Sequence, residues 1–210
     1  PARFSLDISA DGKSVFYIAE DATRPPDIWE MGVTSAERRQ VTRLNPQLER
    51  YAFGRTRLVE WKAADGRFLR GALMLPADYE PGRRYPLIVW IYGGSSLSDY
   101  IYCFGLSDAS RENFQILASR GYAVLAMDTP LQTNEPLKEL PSLILPALDR
   151  MIELGIADPD RFGVMGHSYG GYSVNVLITQ TTRFRAAVSS AGVSDLISFY
   201  LTLEKGSSST

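Results

Sequence analysis

From residue 85 onward the sequence alternates short, apolar, β-rich runs with helical stretches, and this alternation limits the fold more than any other feature. PLIVWIY is apolar throughout, as expected for a strand covered on both faces. SRENFQILASRG reads as an amphipathic helix opened by a Ser110 cap, with Gly121 just past its end. YAVLAMD is the next buried strand. PLKELPSLILPALDRMIELG reads as helical, and Pro141 and Pro146 predict a kink or a late start. RFGVMGHS reads as a strand, YGGYSVNVLITQ as a helix and RAAVSSAG as a further strand. Strands alternating with helices imply right-handed βαβ crossovers and a mainly parallel sheet.

Residues 1–45 have another texture: short strands joined by polar turns. RFSLDIS alternates, with Phe4, Leu6 and Ile8 on one face. Asp11-Gly12 makes a turn into SVFYIAE, a loop with Pro25-Pro26 precedes DIWEMGV, and SAERRQVT closes the run. This is one four-stranded antiparallel unit resembling a β-propeller blade, which alone cannot bury both of its faces. Residues 46–56 read as a connector, followed by two strands about the Asp65-Gly66 turn. The expected organisation is a blade over 1–45 and an α/β unit over 46–210.

Net charge is −2 with both signs interspersed, so nothing points to nucleic acid or an anionic membrane as partner. No apolar run is long enough to span a membrane. A single cysteine, Cys103, excludes an internal disulfide, and one cysteine with one histidine cannot make a typical zinc site. No metal is therefore expected. The chain has neither a P-loop nor a G-x-G-x-x-G after a strand, so no cofactor is implied. The first residues are not a signal peptide, which favours a cytoplasmic setting. They read as the middle of a folded pattern, as if the true start lay upstream, so the compartment is left open.

Gly166-His167-Ser168-Tyr169-Gly170 fits G-x-S-x-G, with a strand before it and a helix directly after. A nucleophile elbow needs that context. Glycines suit it because the turn is strained and the strand and helix pack close. The elbow would lift the Ser168 hydroxyl over the C-terminal edge of the sheet, where open parallel sheets place ligands. The Tyr169 N–H would face a developing oxyanion, helped by the positive end of the helix. Tyr92-Gly93-Gly94, after the 86–91 strand, sits where hydrolases of this kind supply the second oxyanion donor.

Gly166-His167-Ser168-Tyr169-Gly170-Gly171-Tyr172, preceded by Asp158-Pro159-Asp160-Arg161, resembles the prolyl oligopeptidase family of serine peptidases. The Tyr92-Gly93-Gly94 turn, the GYAVLAMD strand and a blade ahead of the hydrolase part fit the same pattern. The resemblance covers nearly the whole chain and is densest over 85–195. It implies an α/β-hydrolase fold preceded by a propeller, and short peptides as substrates, with dipeptidyl, prolyl or acylaminoacyl specificity. It implies Ser168 as nucleophile, with the Tyr169 N–H and the Tyr92 hydroxyl as oxyanion donors. Tyr172, Phe199 and Tyr200 would border the pocket for the residue before the scissile bond, or else pack in the core. A homo-oligomer of the full-length protein is left open.

A nucleophilic serine needs a base, and the only histidine is His167, its own neighbour. Adjacent side chains on an extended backbone point apart, so His167 is not expected to serve. The usual order is serine, acid, histidine. Asp195 is the nearby acid after Ser168, expected to order its own loop, and Asp128 is expected to be structural. The acid and histidine are expected beyond Thr210, which makes this an internal segment, inactive in isolation. An esterase or lipase-like hydrolase, and a hydrolase fold kept as a binding module, are the alternative readings.

Overall fold

The computed structural model describes residues 6–106, 112–133 and 135–200. Strands β1 (Leu6–Ile8), β2 (Ser14–Asp21), β3 (Arg24–Gly32) and β4 (Arg38–Gln40) form an antiparallel sheet in sequence order. Gly12, at φ +69°, turns β1 into β2, as the Asp11-Gly12 pair predicts. The Pro25-Pro26 pair was expected in a loop but lies inside β3. The β2–β3 register shifts between Ala19 and Asp21, so the irregularity falls beside the two residues that cannot donate to a ladder. Leu6, Ile8 and Ile18 are exposed, and Asp27 alone is buried among the described residues of this sheet. The sheet has too little depth to make a core of its own.

After β4 come a 3-10 turn over Pro46–Arg50 and an extended run into the second sheet. That sheet contains β5 (Thr56–Lys62), β6 (Phe68–Met74), β7 (Tyr85–Trp90), β8 (Ala123–Met127), β9 (Ala157–His167) and β10 (Phe184–Ser190). Their order is β10-β9-β7-β8-β6-β5. The four strands β10, β9, β7 and β8 run parallel, and the β5–β6 hairpin joins antiparallel through β6. Alternation sorts the side chains by face. Leu87 and Val89 of β7, with Leu125 and Met127 of β8, pack on one face with Leu73. Trp90, Val124 and Ala126 pack on the other with Phe114 and Ala118.

Among the described residues, four helices accompany these strands. α1 (Gln115–Ala118) is a single turn, much shorter than the stretch expected from residue 110, and Ser110 lies outside the described residues. The Asn113 side chain accepts from the Gln115 N–H, and the Phe114 N–H donates to the Gly105 carbonyl, so these residues form a turn instead of helix. Gly121, at φ +81°, closes the segment as expected. α2 (Pro136–Glu153) is one continuous helix through both internal prolines. Leu140, Leu143, Ile144, Ala147, Leu148 and Met151 form its buried face. Pro146 cannot donate to the Ser142 carbonyl, and that carbonyl accepts the Ala64 N–H of the β5–β6 turn at 2.9 Å instead. Trp61 Nε1 donates to the next carbonyl, Leu143. α3 (Tyr169–Ile178) follows β9 directly, and α4 (Leu196–Tyr200) follows β10.

The two sheets are joined through α1. Gln115 is buried, donates to the Ala22 carbonyl at 2.6 Å and to the Gly54 carbonyl at 2.9 Å, and accepts the Gly54 N–H at 2.7 Å. Nearby, the Phe104 N–H donates to Glu20, and Phe53 meets Phe104 edge-on at 5.1 Å.

Candidate active site

β9 ends at His167 and α3 begins at Tyr169, so Ser168 alone makes the turn between them. Its φ of 57° and ψ of −121° lie where L side chains rarely sit, so backbone strain is stored at this exposed serine. The surrounding glycines make the turn possible. A Cβ on Gly166 would strike the Gly170 carbonyl and come within 2.8 Å of the Ile91 carbonyl oxygen. One on Gly171 would lie 2.7 Å from Gly192 Cα, in the loop after β10. The Ser168 N–H donates to the Ser190 carbonyl at 2.8 Å. Tyr169 is the first residue of α3, and a first-turn N–H has no partner within its own helix.

The Tyr92-Gly93-Gly94 turn is held against this elbow. The Gly93 N–H donates to Ser173 Oγ, which itself donates to the Tyr169 carbonyl. Thr129, fully buried at the exit of β8, donates its hydroxyl to the Tyr92 carbonyl at 2.8 Å. The Gly94 N–H returns a bond to the Thr129 carbonyl. Three expected site residues thereby come together. The Tyr92 and Tyr169 rings are 6.1 Å apart, and Tyr169 and Tyr172 are 5.4 Å apart. Partial burial, with Tyr172 and Tyr92 adding to it, pushes the Tyr169 phenol above its ordinary pKa and keeps it neutral.

A cleft of about 500 Å³ opens beside these rings over the Gly93-Gly94 turn. Tyr169, Tyr172, Leu196 and residues 131–133 wall it, and among the described residues no charged side chain lines it. Tyr172 is in this wall as expected. Phe199 and Tyr200 are exposed on α4 and do not line it, and Leu196 is the α4 residue that does. His167 turns towards the neighbouring strand, with Nδ1 3.2 Å from Ser190 Oγ. Asp195 starts α4, accepting from the Ile197 N–H and the Ser198 hydroxyl, which hold its carboxyl below the ordinary value. Asp128 accepts from the Ser98 N–H and hydroxyl and from Arg70. Both acids are engaged in local structure.

Residues that sequence reasoning passed over surround the cleft. Glu139 of α2 is buried and takes four hydrogen bonds, from the Gln132 and Thr133 N–H groups, the Thr133 hydroxyl and Arg67. Burial opposes its charge, but these donors outweigh that and hold its carboxyl below the usual value. Thr129 had a signal, its position just past a parallel strand. Arg67 had none, because 72 residues separate it from Glu139.

A mainly parallel sheet with a glycine-flanked serine turned out between strand and helix is the α/β-hydrolase arrangement. Residues 144–208 match the prolyl oligopeptidase family, and the resemblance read from the sequence is borne out. The chain is 29% identical to the uncharacterized peptidase YuxL of Bacillus subtilis, over 93% of this chain and 31% of that protein. It is 30% identical to dipeptidyl-peptidase 5 of Porphyromonas gingivalis, over 69% of this chain and 22% of that protein. Among solved structures, an acylaminoacyl peptidase of Pyrococcus horikoshii superposes with a TM-score of 0.68 at 25% identity, over 91% of this chain and 31% of that one. The chain thus spans under a third of the length of these relatives. Among the described residues, no helix is long and apolar enough to cross a membrane.

Proposed function

We propose that this chain carries the nucleophile half of a serine peptidase active site. Ser168 Oγ attacks the scissile carbonyl of a short peptide, and a base takes its proton. The tetrahedral oxyanion is bound by the Tyr169 N–H and the Tyr92 hydroxyl. The amine then leaves with a proton, and water hydrolyses the acyl-serine to restore the enzyme. The observation that carries this reading is the backbone of Ser168, forced to positive φ next to Tyr169, which walls a cleft lined by no charged side chain among the described residues. That cleft suits an uncharged, apolar side chain next to the scissile bond. Since His167 is engaged with Ser190, the base is assigned to sequence outside these 210 residues. Residues 1–45 belong, on this reading, to a propeller-like unit ahead of a catalytic unit that starts near residue 46.

Labelling with a fluorophosphonate probe tests the proposal. In the full-length protein, Ser168 is expected to be labelled, and Ser168→Ala is expected to lose labelling and peptidase activity with an unchanged melting temperature. Removing a triad member costs several orders of magnitude, so residual turnover in that variant within about tenfold of wild type would overturn the assignment.

A further inference from the structure

The wall of the cleft formed by residues 131–133 belongs to neither a strand nor a helix, yet it is tied down at both ends. On one side, Thr129 bonds to the Tyr92 carbonyl and receives the Gly94 N–H. On the other, Glu139 Oε1 accepts the Gln132 N–H at 2.8 Å, and Oε2 accepts the Thr133 N–H and hydroxyl, each at 3.0 Å. Glu139 is in turn held by Arg67, whose Nη2 lies 2.9 Å from Oε1. The other arm of the same guanidinium donates to the Pro130 carbonyl at 2.8 Å. Asp65 fixes the orientation of Arg67 through its Nε. A loop of this kind has few regular backbone partners. A buried carboxylate accepting two consecutive N–H groups supplies them with charge-assisted bonds.

We infer that Glu139, oriented by Arg67, is the positioning residue that sets the shape of the cleft beside Ser168 and with it the affinity for the substrate side chain that enters there. The inference rests on the peptidase reading above. Neither Glu139 nor Arg67 lines the cleft. Their effect must pass through the 130–133 loop and so falls on binding. A neutral amide at 139 keeps the shape of the side chain but turns two acceptor oxygens into one, leaving a loop N–H or the Thr133 hydroxyl facing a donor. The wall is then free to shift, and a displacement of about 1 Å in such a wall is worth up to 10²-fold.

The test uses the full-length protein and its Glu139→Gln and Arg67→Lys variants. Two readouts are compared: the rate of fluorophosphonate labelling at Ser168, which reports the nucleophile and needs no side-chain pocket, and KM and kcat on a short peptide with an apolar residue before the scissile bond. For Glu139→Gln, KM is expected to rise about tenfold while kcat and the labelling rate change by less than about threefold. Arg67→Lys, which keeps the charge but loses the fork, is expected to shift KM in the same direction by less. Wild-type KM in both variants overturns the inference alone. Equal losses in labelling and turnover also overturn it, because they signify general damage to the fold. Absence of labelling in the wild type overturns the peptidase reading and this inference with it. If Glu139→Gln does not fold, Arg67→Lys decides.

Discussion

Ser168 shows how much one residue's conformation demands of its neighbours. Holding a non-glycine residue at φ 57° costs about 1–3 kcal/mol and persists only where the surroundings impose it. Here they do so by close backbone approach. Gly166 sits against the Gly170 and Ile91 carbonyls, Gly170 against Ile91, and Gly171 against Gly192. Gly166→Ala is therefore expected to destabilise the protein by about 2 kcal/mol or more, since the obstacles are backbone atoms that cannot rotate away. Chemical denaturation measures this, and a loss below about 0.5 kcal/mol would show that the elbow relaxes freely. Gly166, Ser168, Gly170 and Gly171 were legible in the sequence because their spacing is local. Ser173 was not, since a serine inside a helix looks ordinary until the Tyr92-Gly93-Gly94 turn is packed on it.

At the scale of elements, the buried strands and α3 were legible, but the shortness of α1 and the place of Pro25-Pro26 inside β3 were not. The apolar runs at 85–90 and 123–127 became β7 and β8 because burial on both faces leaves no other reading for so short a run. The late start expected of α2 did not occur, and the helix runs from Pro136 through Pro141 and Pro146. Pro141 leaves only a first-turn carbonyl, Leu137, without its helical donor, and the β5–β6 turn supplies the donor that Pro146 lacks. α1 shrank to one turn because Asn113 and Gly105 take up the preceding backbone. What remains of α1 still matters through Gln115. Gln115→Ala would leave the buried Gly54 N–H and carbonyl and the Ala22 carbonyl without that partner, at a cost of about 1–3 kcal/mol. It is also expected to loosen the N-terminal sheet. Limited proteolysis should then cut within residues 41–55 faster than in wild type, and unchanged cleavage there would exclude Gln115 as the tie between the sheets.

For the whole molecule, charge placement sets the response to acid. Asp27 and Glu139 are buried, one in each sheet region, and both are held below their ordinary values. For each, burial acts the other way and is outweighed by donors: Thr42, Leu44 and Gln40 on Asp27, and the 132–133 backbone, Thr133 and Arg67 on Glu139. A depressed carboxyl binds fewer protons folded than unfolded. Its contribution is complete above the unfolded carboxylate range and is lost as pH falls through the lower, folded value. The melting temperature is thus expected to hold near neutrality and to fall between roughly pH 5 and pH 3, with a shallower fall in Asp27→Asn. A melting temperature flat over that interval would contradict the role of these carboxylates.

The sequence by itself determined the period of each segment, the glycine spacing that permits a serine at positive φ, and the absence of a second histidine. These are properties of neighbouring residues, and steric rules act on neighbours. Tertiary structure alone decided which residues wall the cleft. It placed Leu196 there instead of Phe199 and Tyr200, kept α2 whole by lending it a donor from a distant turn, and paired Arg67 with Glu139 across 72 residues. A hydrogen bond between groups so far apart in the chain has no local signature. It exists only once the sheet has brought them within 3 Å of each other.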